Sequence, residues 1–131
     1  MNSNHMTDAE YHAHPAMNYS RLKHLRDSPA HFRNACDNPR PPSTSMSFGS
    51  LVHPWVQELM ADPRTLVEHM HFWEHDELGP CRMKVDLARL VPNGLMGCDL
   101  KTTKSTNPYS FKRDARMYGY ALQAAHYLYG L

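Results

Sequence analysis

The chain predicts an α/β fold, with a small central mixed sheet built on a three-strand meander and flanked by helices. Three observations carry this expectation. Apolar residues recur at helical spacing toward both ends, strand-like alternation fills the middle, and Pro92-Asn93-Gly94 separates two of the alternating segments as a hairpin turn would. At 131 residues the chain is the size of one domain, read here as 1–131: an arm at 1–17, a helical part at 18–61, strands within 66–101 and a helix at 110–129.

Each element has a local reason. Residues 1–17 are polar and His-rich, lack an apolar period, and predict an extended arm. Asn18 can cap a short helix carrying Leu22 and Leu25, and Ser28-Pro29 can open another through Phe32. Residues 37–45 are a loop by composition. From Ser47 to Met60, Phe48, Leu51, Val52, Trp55, Val56 and Leu59 form one apolar stripe; Pro54 inside it costs the bond to the Ser50 carbonyl unless the helix starts late enough to hold proline in its first turn. Residues 66–73 and 82–91 alternate as strands, Asn93-Gly94 supplies the turn, and 95–101 returns. Residues 110–129 read as one long helix ended by Gly130.

Composition narrows the class of protein. Hydrophobic residues at 41% and charged residues at 21% exclude a disordered or collagen-like chain. The mean hydropathy of -0.64 and the lack of a long apolar run argue against a membrane partner, and the polar start lacks a secretory core, so a cytoplasmic location is expected. Cys36, Cys81 and Cys98 are odd in number and widely spaced, which suits a reducing compartment better than a disulfide framework. Net charge is only +1, but residues 101–116 hold Lys101, Lys104, Lys112, Arg113 and Arg116 against Asp114 alone.

The hairpin concentrates chemistry. With Asn93-Gly94 as the turn, Asp86 falls opposite Lys101, and alternation sends Asp86, Asp99 and Lys101 to one face while Val85, Leu87, Cys98 and Leu100 take the other. Any even-length loop preserves that division. Two adjacent carboxylates repel unless a proton or cation lies between them, and hard oxygen donors suit Mg²⁺ or Mn²⁺. Such an ion can clamp a phosphodiester and acidify a water, with the amine nearby to orient it. The same spacing also suits a plain cross-strand salt-bridge cluster. On the last helix, Lys112, Arg116, Gln123 and Tyr127 share one face, with Met117, Ala121, Ala125 and Leu128 opposite as the expected core. A basic, amide-bearing face after a carboxylate-bearing hairpin is what sequence-independent contact with a phosphate backbone requires.

These residues resemble the PD-(D/E)XK nuclease superfamily, and within it the exonuclease VIII (RecE-type) branch, related to lambda exonuclease and the RecB nuclease domain. Asp86 with Asp99-Leu100-Lys101 resembles the D…(D/E)xK core, Gly49 to His53 the G-x-x-x-H helix, Glu68 with Phe72-Trp73 the E…FW strand, and Gln123 to Tyr127 the Q-x-x-x-Y signature. The resemblance implies a restriction-endonuclease-like core in trimmed form and a metal-dependent deoxyribonuclease, a 5′-to-3′ double-strand exonuclease of phage or prophage recombination. It implies that His53, Asp86, Asp99 and the Leu100 carbonyl hold Mg²⁺ or Mn²⁺, that Lys101 activates the water, that Glu68 supports the metal, and that Gln123 and Tyr127 brace the site. Lys104, Lys112, Arg113 and Arg116 would contact DNA, with a single-strand annealing protein and further copies of the chain as partners the resemblance suggests. The short interval from His53 to Glu68, where relatives carry several tens of residues, leaves two alternatives open: a DNA-end-binding or regulatory module with the nuclease fold, and a partial chain of a longer exonuclease.

One other constellation stands out. His69 and His71 share a strand face and, with His75, Glu74 and Asp76 nearby, suit a transition-metal site and ordinary solvent or core imidazoles alike.

Overall fold

A computed structural model describes residues 6–41, 43–60 and 62–131; the expectations for residues 1–5, Pro42 and the Leu59 side chain fall outside the described residues. The elements run α1 (Asp8–Ala13), α2 (Tyr19–Leu22) with a 3₁₀ turn (Lys23–Arg26), α3 (Pro29–Asp37), α4 (Thr44–Leu59), β1 (Thr65–His75), β2 (Gly79–Val91), β3 (Gly94–Cys98), α5 (Pro108–Tyr118) and α6 (Tyr120–Gly130). The three strands form an antiparallel meander in the order β1-β2-β3, so the fold is mixed α/β with helices flanking the sheet. The expected mixed sheet is corrected: the parallel component is one bridge, Met17 to Cys81.

The helix caps are those the sequence offers. Asn18 and Ser28 each accept a main-chain N–H in the first turn, and Ser43 does the same for α4. The expected extended arm is corrected at α1, where Thr7 and Glu10 cap each other reciprocally and start a short helix without any apolar period. Tyr11 is the buried residue of that helix and packs edge-on to Phe72. Helix α4 starts at Thr44, so of the two cases the sequence leaves open Pro54 takes the interior one and leaves the Ser50 carbonyl without its usual donor.

The core lies on β2, where Cys81, Met83, Val85, Leu87 and Ala88 are all buried. β2 is central because β1 covers one of its edges along most of its length. Its other edge is shared. Met17 exchanges hydrogen bonds with it at Pro80 and Arg82, and β3 pairs with it only from Leu87 to Val91. Between those two partners the carbonyls of Arg82, Lys84 and Asp86 point away from β1 with no strand to meet them. Buried carbonyls need donors, and side chains supply them: His126 Nε2 at 3.0 Å from Arg82 O, Tyr127 Oη at 3.1 Å from Lys84 O and Gln57 Nε2 at 3.2 Å from Asp86 O. This is why α4 and α6 dock where they do.

The hairpin differs in register from the expectation. Val91 pairs with Gly94, so Pro92-Asn93 and not Asn93-Gly94 is the turn. With Asn93-Gly94 as the turn, Pro92 would occupy a ladder position that calls for the N–H it lacks; inside the turn its fixed φ is an advantage. Continuing the observed register sets Asp86 level with Asp99 rather than with Lys101. The shift is by two residues, so the division of faces survives it.

Three helical expectations are also corrected. The single C-terminal helix breaks at Gly119, which takes a left-handed φ of 70° and caps α5. The apolar stripe of α4 is turned outward, with Phe48, Leu51 and Trp55 exposed, while Gly49 and Gln57 are buried. Likewise Met117 and Leu128, expected in the core, are exposed, and the face of α6 that meets the sheet carries Gln123, His126 and Tyr127. Among the described residues no helix is long and apolar enough to cross a membrane.

The elbow at Gly119 is clamped from the N-terminal side: Tyr19 donates to the Tyr118 carbonyl and Arg26 Nη2 to that of Arg116 at 3.3 Å. A Cβ at Gly119 would stand 2.7 Å from Arg26 Nη1 and 2.9 Å from Tyr19 Oη, on a backbone that L-residues avoid. Gly119→Ala should therefore cost about 1–2 kcal/mol in urea unfolding with little change in slope; an unchanged midpoint would show that the clamp is not formed.

Candidate active site

Four elements converge at the end of β3. Helix α4 presents Gly49, His53 and Gln57 at successive turns of one face. Strands β1 and β2 present Glu68, Lys84 and Asp86, the segment after β3 presents Asp99, Leu100 and Lys101, and α6 presents Gln123 and Tyr127. A Cβ on Gly49 would lie 3.8 Å from both His53 Nε2 and Thr102 Oγ1, an ordinary contact distance, which places this turn of the helix beside the segment that carries Lys101.

Asp86 organises one half of the site. Its Oδ2 accepts the Leu100 N–H at 2.6 Å, and its Oδ1 lies 3.5 Å from His53 Nδ1. The Leu100 bond explains why β3 ends at Cys98 and not at Lys101 as expected: the next N–H goes to a side chain instead of to a ladder partner. Burial pushes the Asp86 carboxyl above its usual range; the Leu100 N–H and His53 oppose that rise, and the neighbouring Asp99 and Glu68 add to it.

Gln123 organises the other half. Its Nε2 donates to Asp99 Oδ1 and to Tyr127 Oη, both at 3.0 Å, while its Oε1 accepts from Lys101 Nζ at 2.7 Å. The amide orientation follows from the charges, with nitrogen toward the carboxylate and oxygen toward the ammonium. Lys101 also pairs with Asp99 Oδ2 and sits 4.7 Å over the Tyr120 ring. Burial holds the Tyr127 phenol well above its ordinary range, so it remains a hydrogen-bond donor to Lys84 O.

Glu68 is joined to both halves. Its carboxylate pairs with Lys84 and accepts Gln57 Nε2 at 2.9 Å, and Gln57 also binds the Asp86 carbonyl. Lys84, shared with Asp8, is raised overall: burial lowers it, and the two carboxylates outweigh that. Glu68 has a φ of 52°, the one non-glycine positive φ among the described residues, and it lies level with Asp86 across the β1–β2 ladder. Such strain in mid-strand costs about 1 kcal/mol or more and concentrates at functional positions.

The structure thus brings together Glu68, Asp86, Asp99, Leu100, Lys101, Gln123, Tyr127 and His53. It does not bring the expected DNA contacts into the same cluster. Lys104 lies exposed in the loop after Lys101, Lys112 and Arg116 are exposed on α5, and Arg113 pairs with Asp114 at 3.5 Å. Gln57, Lys84 and His126 were not singled out from the sequence. The spacing of Gly49, His53 and Gln57 at every fourth residue was the available signal for Gln57; nothing local marked His126, which reaches Arg82 O and packs against Trp73 at 4.7 Å. Arg82 itself is buried, with its guanidinium 4.5 Å over the Tyr11 ring and its Nε and Nη1 without acceptors. The row of His69, His71 and Trp73 stacks at 6.2 and 6.0 Å along β1.

Donor chemistry at the site fits a hard divalent cation. Asp86 is crowded by two other acids, and Asp99 Oδ2 is buried without a hydrogen bond of good geometry, even though Lys101 stands against it. The donors are closed onto one another, however. Among the described residues no three His, Cys, Asp or Glu side chains are grouped as a metal site. No protein family, curated protein or solved structure matches the chain.

Two predictions follow from the electrostatics. A carboxyl whose pKa is raised by folding binds its proton more tightly in the native state, so its ionisation erodes stability as pH rises through that interval. Asp86→Asn should stabilise the protein by about 1 kcal/mol at neutral pH, and the gain should vanish below the ordinary carboxylate range, as read by thermal melts across pH. Gln57→Glu places a third acid between Glu68 and Asp86 and should cost about 2–3 kcal/mol at neutral pH; equal melting of variant and wild type would remove Gln57 from the network.

Proposed function

We propose that the chain is a metal-dependent deoxyribonuclease that hydrolyses phosphodiester bonds by direct attack of water, with the double-strand exonucleases of the PD-(D/E)XK superfamily as its nearest functional analogy. The observation that carries this reading is the convergence of eight separately motivated residues, from four elements and the segment after β3, on one hydrogen-bonded cluster. A plain cross-strand salt bridge would have no need of Gln123, Tyr127, His53 and a strained Glu68.

The roles follow from the contacts. His53, Asp86, Asp99 and the Leu100 carbonyl would hold Mg²⁺ or Mn²⁺, which when bound would acidify a water and offset charge on phosphorus. Lys101, steadied by Gln123 and Tyr120, carries a positive charge on the open side of the site and serves to orient the water and to stabilise the growing phosphorane charge. Glu68 sets Lys84 and Gln57, and through Gln57 the strand that bears Asp86. Lys104, Lys112 and Arg116 would meet the phosphate backbone without reading bases.

The test is calorimetric titration with Mn²⁺ alongside degradation of end-labelled duplex DNA. Wild type should bind Mn²⁺ and degrade DNA in a chelator-sensitive way. Asp86→Asn should lose the binding, and Asp99→Ala and Lys101→Ala should each lower the rate on the order of a thousandfold. Metal-independent degradation, or equal rates in wild type and variants, would reject the proposal; salt-sensitive duplex binding without cleavage would favour a DNA-end-binding module.

A further inference from the structure

The turn at Gly119 brings the start of α6 back toward α5 and gathers three aromatic rings beside the candidate site. Phe111 and Tyr118 lie seven residues apart on α5 and so share one face of it. Tyr120, the first residue of α6, joins them, its ring centroid 6.1 Å from each of the other two. The Tyr118 and Tyr120 rings are stacked at 23°, and the Phe111 ring is tilted from Tyr120 by 51°. Lys101, whose ammonium already meets Asp99 and Gln123, sits over the Tyr120 ring. The aromatic cluster therefore begins at the candidate site itself. Its two outer members are not core residues: Phe111 is 41% and Tyr118 54% exposed. Asp114, on the same face of α5, is paired with Arg113.

We propose that Phe111, Tyr118 and Tyr120 form a stacking subsite for unpaired nucleobases of the strand that enters the site, so that the substrate is DNA with an unpaired end. This subsite rests on the nuclease reading, which puts the scissile phosphate at Lys101, and adds the form of DNA that the site accepts. Each phosphate of a strand has a base close beside it, so aromatic rings that adjoin the ammonium are placed to meet bases. Chemistry separates the two kinds of contact. Phosphate oxygens gain nothing from an aromatic face, whereas every base has a π-face, and stacking on aromatic side chains tolerates any base. Within a duplex those faces are covered by the neighbouring pairs. Only a single strand, an overhang or a frayed terminus can offer them to Tyr118 and Phe111. An apolar side chain of a protein partner would also cover exposed rings, but it would not need their aromatic planes, and that difference is measurable.

The test is fluorescence anisotropy with a short fluorescein-labelled oligothymidylate in the presence of chelator, beside a labelled abasic strand with the same number of phosphates. Oligothymidylate should bind saturably and about tenfold more tightly than the abasic strand, the increment expected of one stacked base. An unlabelled blunt hairpin duplex should compete poorly. Tyr118→Leu and Phe111→Leu keep apolar bulk and remove the aromatic plane; each should bring oligothymidylate binding toward that of the abasic strand and leave abasic binding unchanged. Tyr118→Phe should retain wild-type binding, and circular dichroism checks that each variant is folded. No saturable binding, equal binding of the two strands, equal competition by the blunt duplex, or indifference to both leucine variants would overturn the proposal. The two readings fail separately. Base-dependent binding without metal-dependent cleavage would remove the nuclease reading and keep the subsite, and chelator-sensitive cleavage with equal binding of the two strands would remove the subsite alone.

Discussion

The structure depends on an unfilled stretch of strand edge. β3 reaches only to Leu87 on β2, and Met17 only to Arg82, which strands three β2 carbonyls inside the protein. A carbonyl buried without a donor costs about 1–3 kcal/mol, so the helices that pack here must bring donors and not just apolar surface. That requirement selects Gln57 on α4 and His126 and Tyr127 on α6. It also inverts the usual arrangement, because the polar face of α6 meets the sheet and Leu128 faces outward.

The same edge builds the cluster. Where β3 stops, the Asp86 carboxylate takes the Leu100 N–H in place of a ladder partner and turns the chain so that Asp99 and Lys101 face α6. Gln123, one turn before Tyr127, then lies within reach of both charges. Edge capping and site assembly are thus one set of contacts. The arrangement carries a cost: Asp86 is a buried acid beside two others, and the Glu68 backbone is strained. A fold built for stability alone would have no need of either.

The large exposed apolar residues follow from the same inversion. Phe48, Leu51 and Trp55 on α4 point outward because the opposite face is committed to Gly49, His53 and Gln57.

Local chemistry made much of this legible from the sequence alone: the caps at Asn18 and Ser28, three strands in a meander, and the sharing of one face by Asp86, Asp99 and Lys101, since capping and period-two alternation depend only on near neighbours. The candidate residues could be named, but not joined. Register was decided by Pro92, whose missing N–H moved the turn by one position; the break at Gly119 was decided by the clamp from Tyr19 and Arg26, nearly a hundred residues away. Which face of α4 and α6 turns inward was decided by three carbonyls on β2 that no helical periodicity can anticipate, because hydrophobic patterning measures a helix's affinity for oil and says nothing about a neighbour's need for a proton donor.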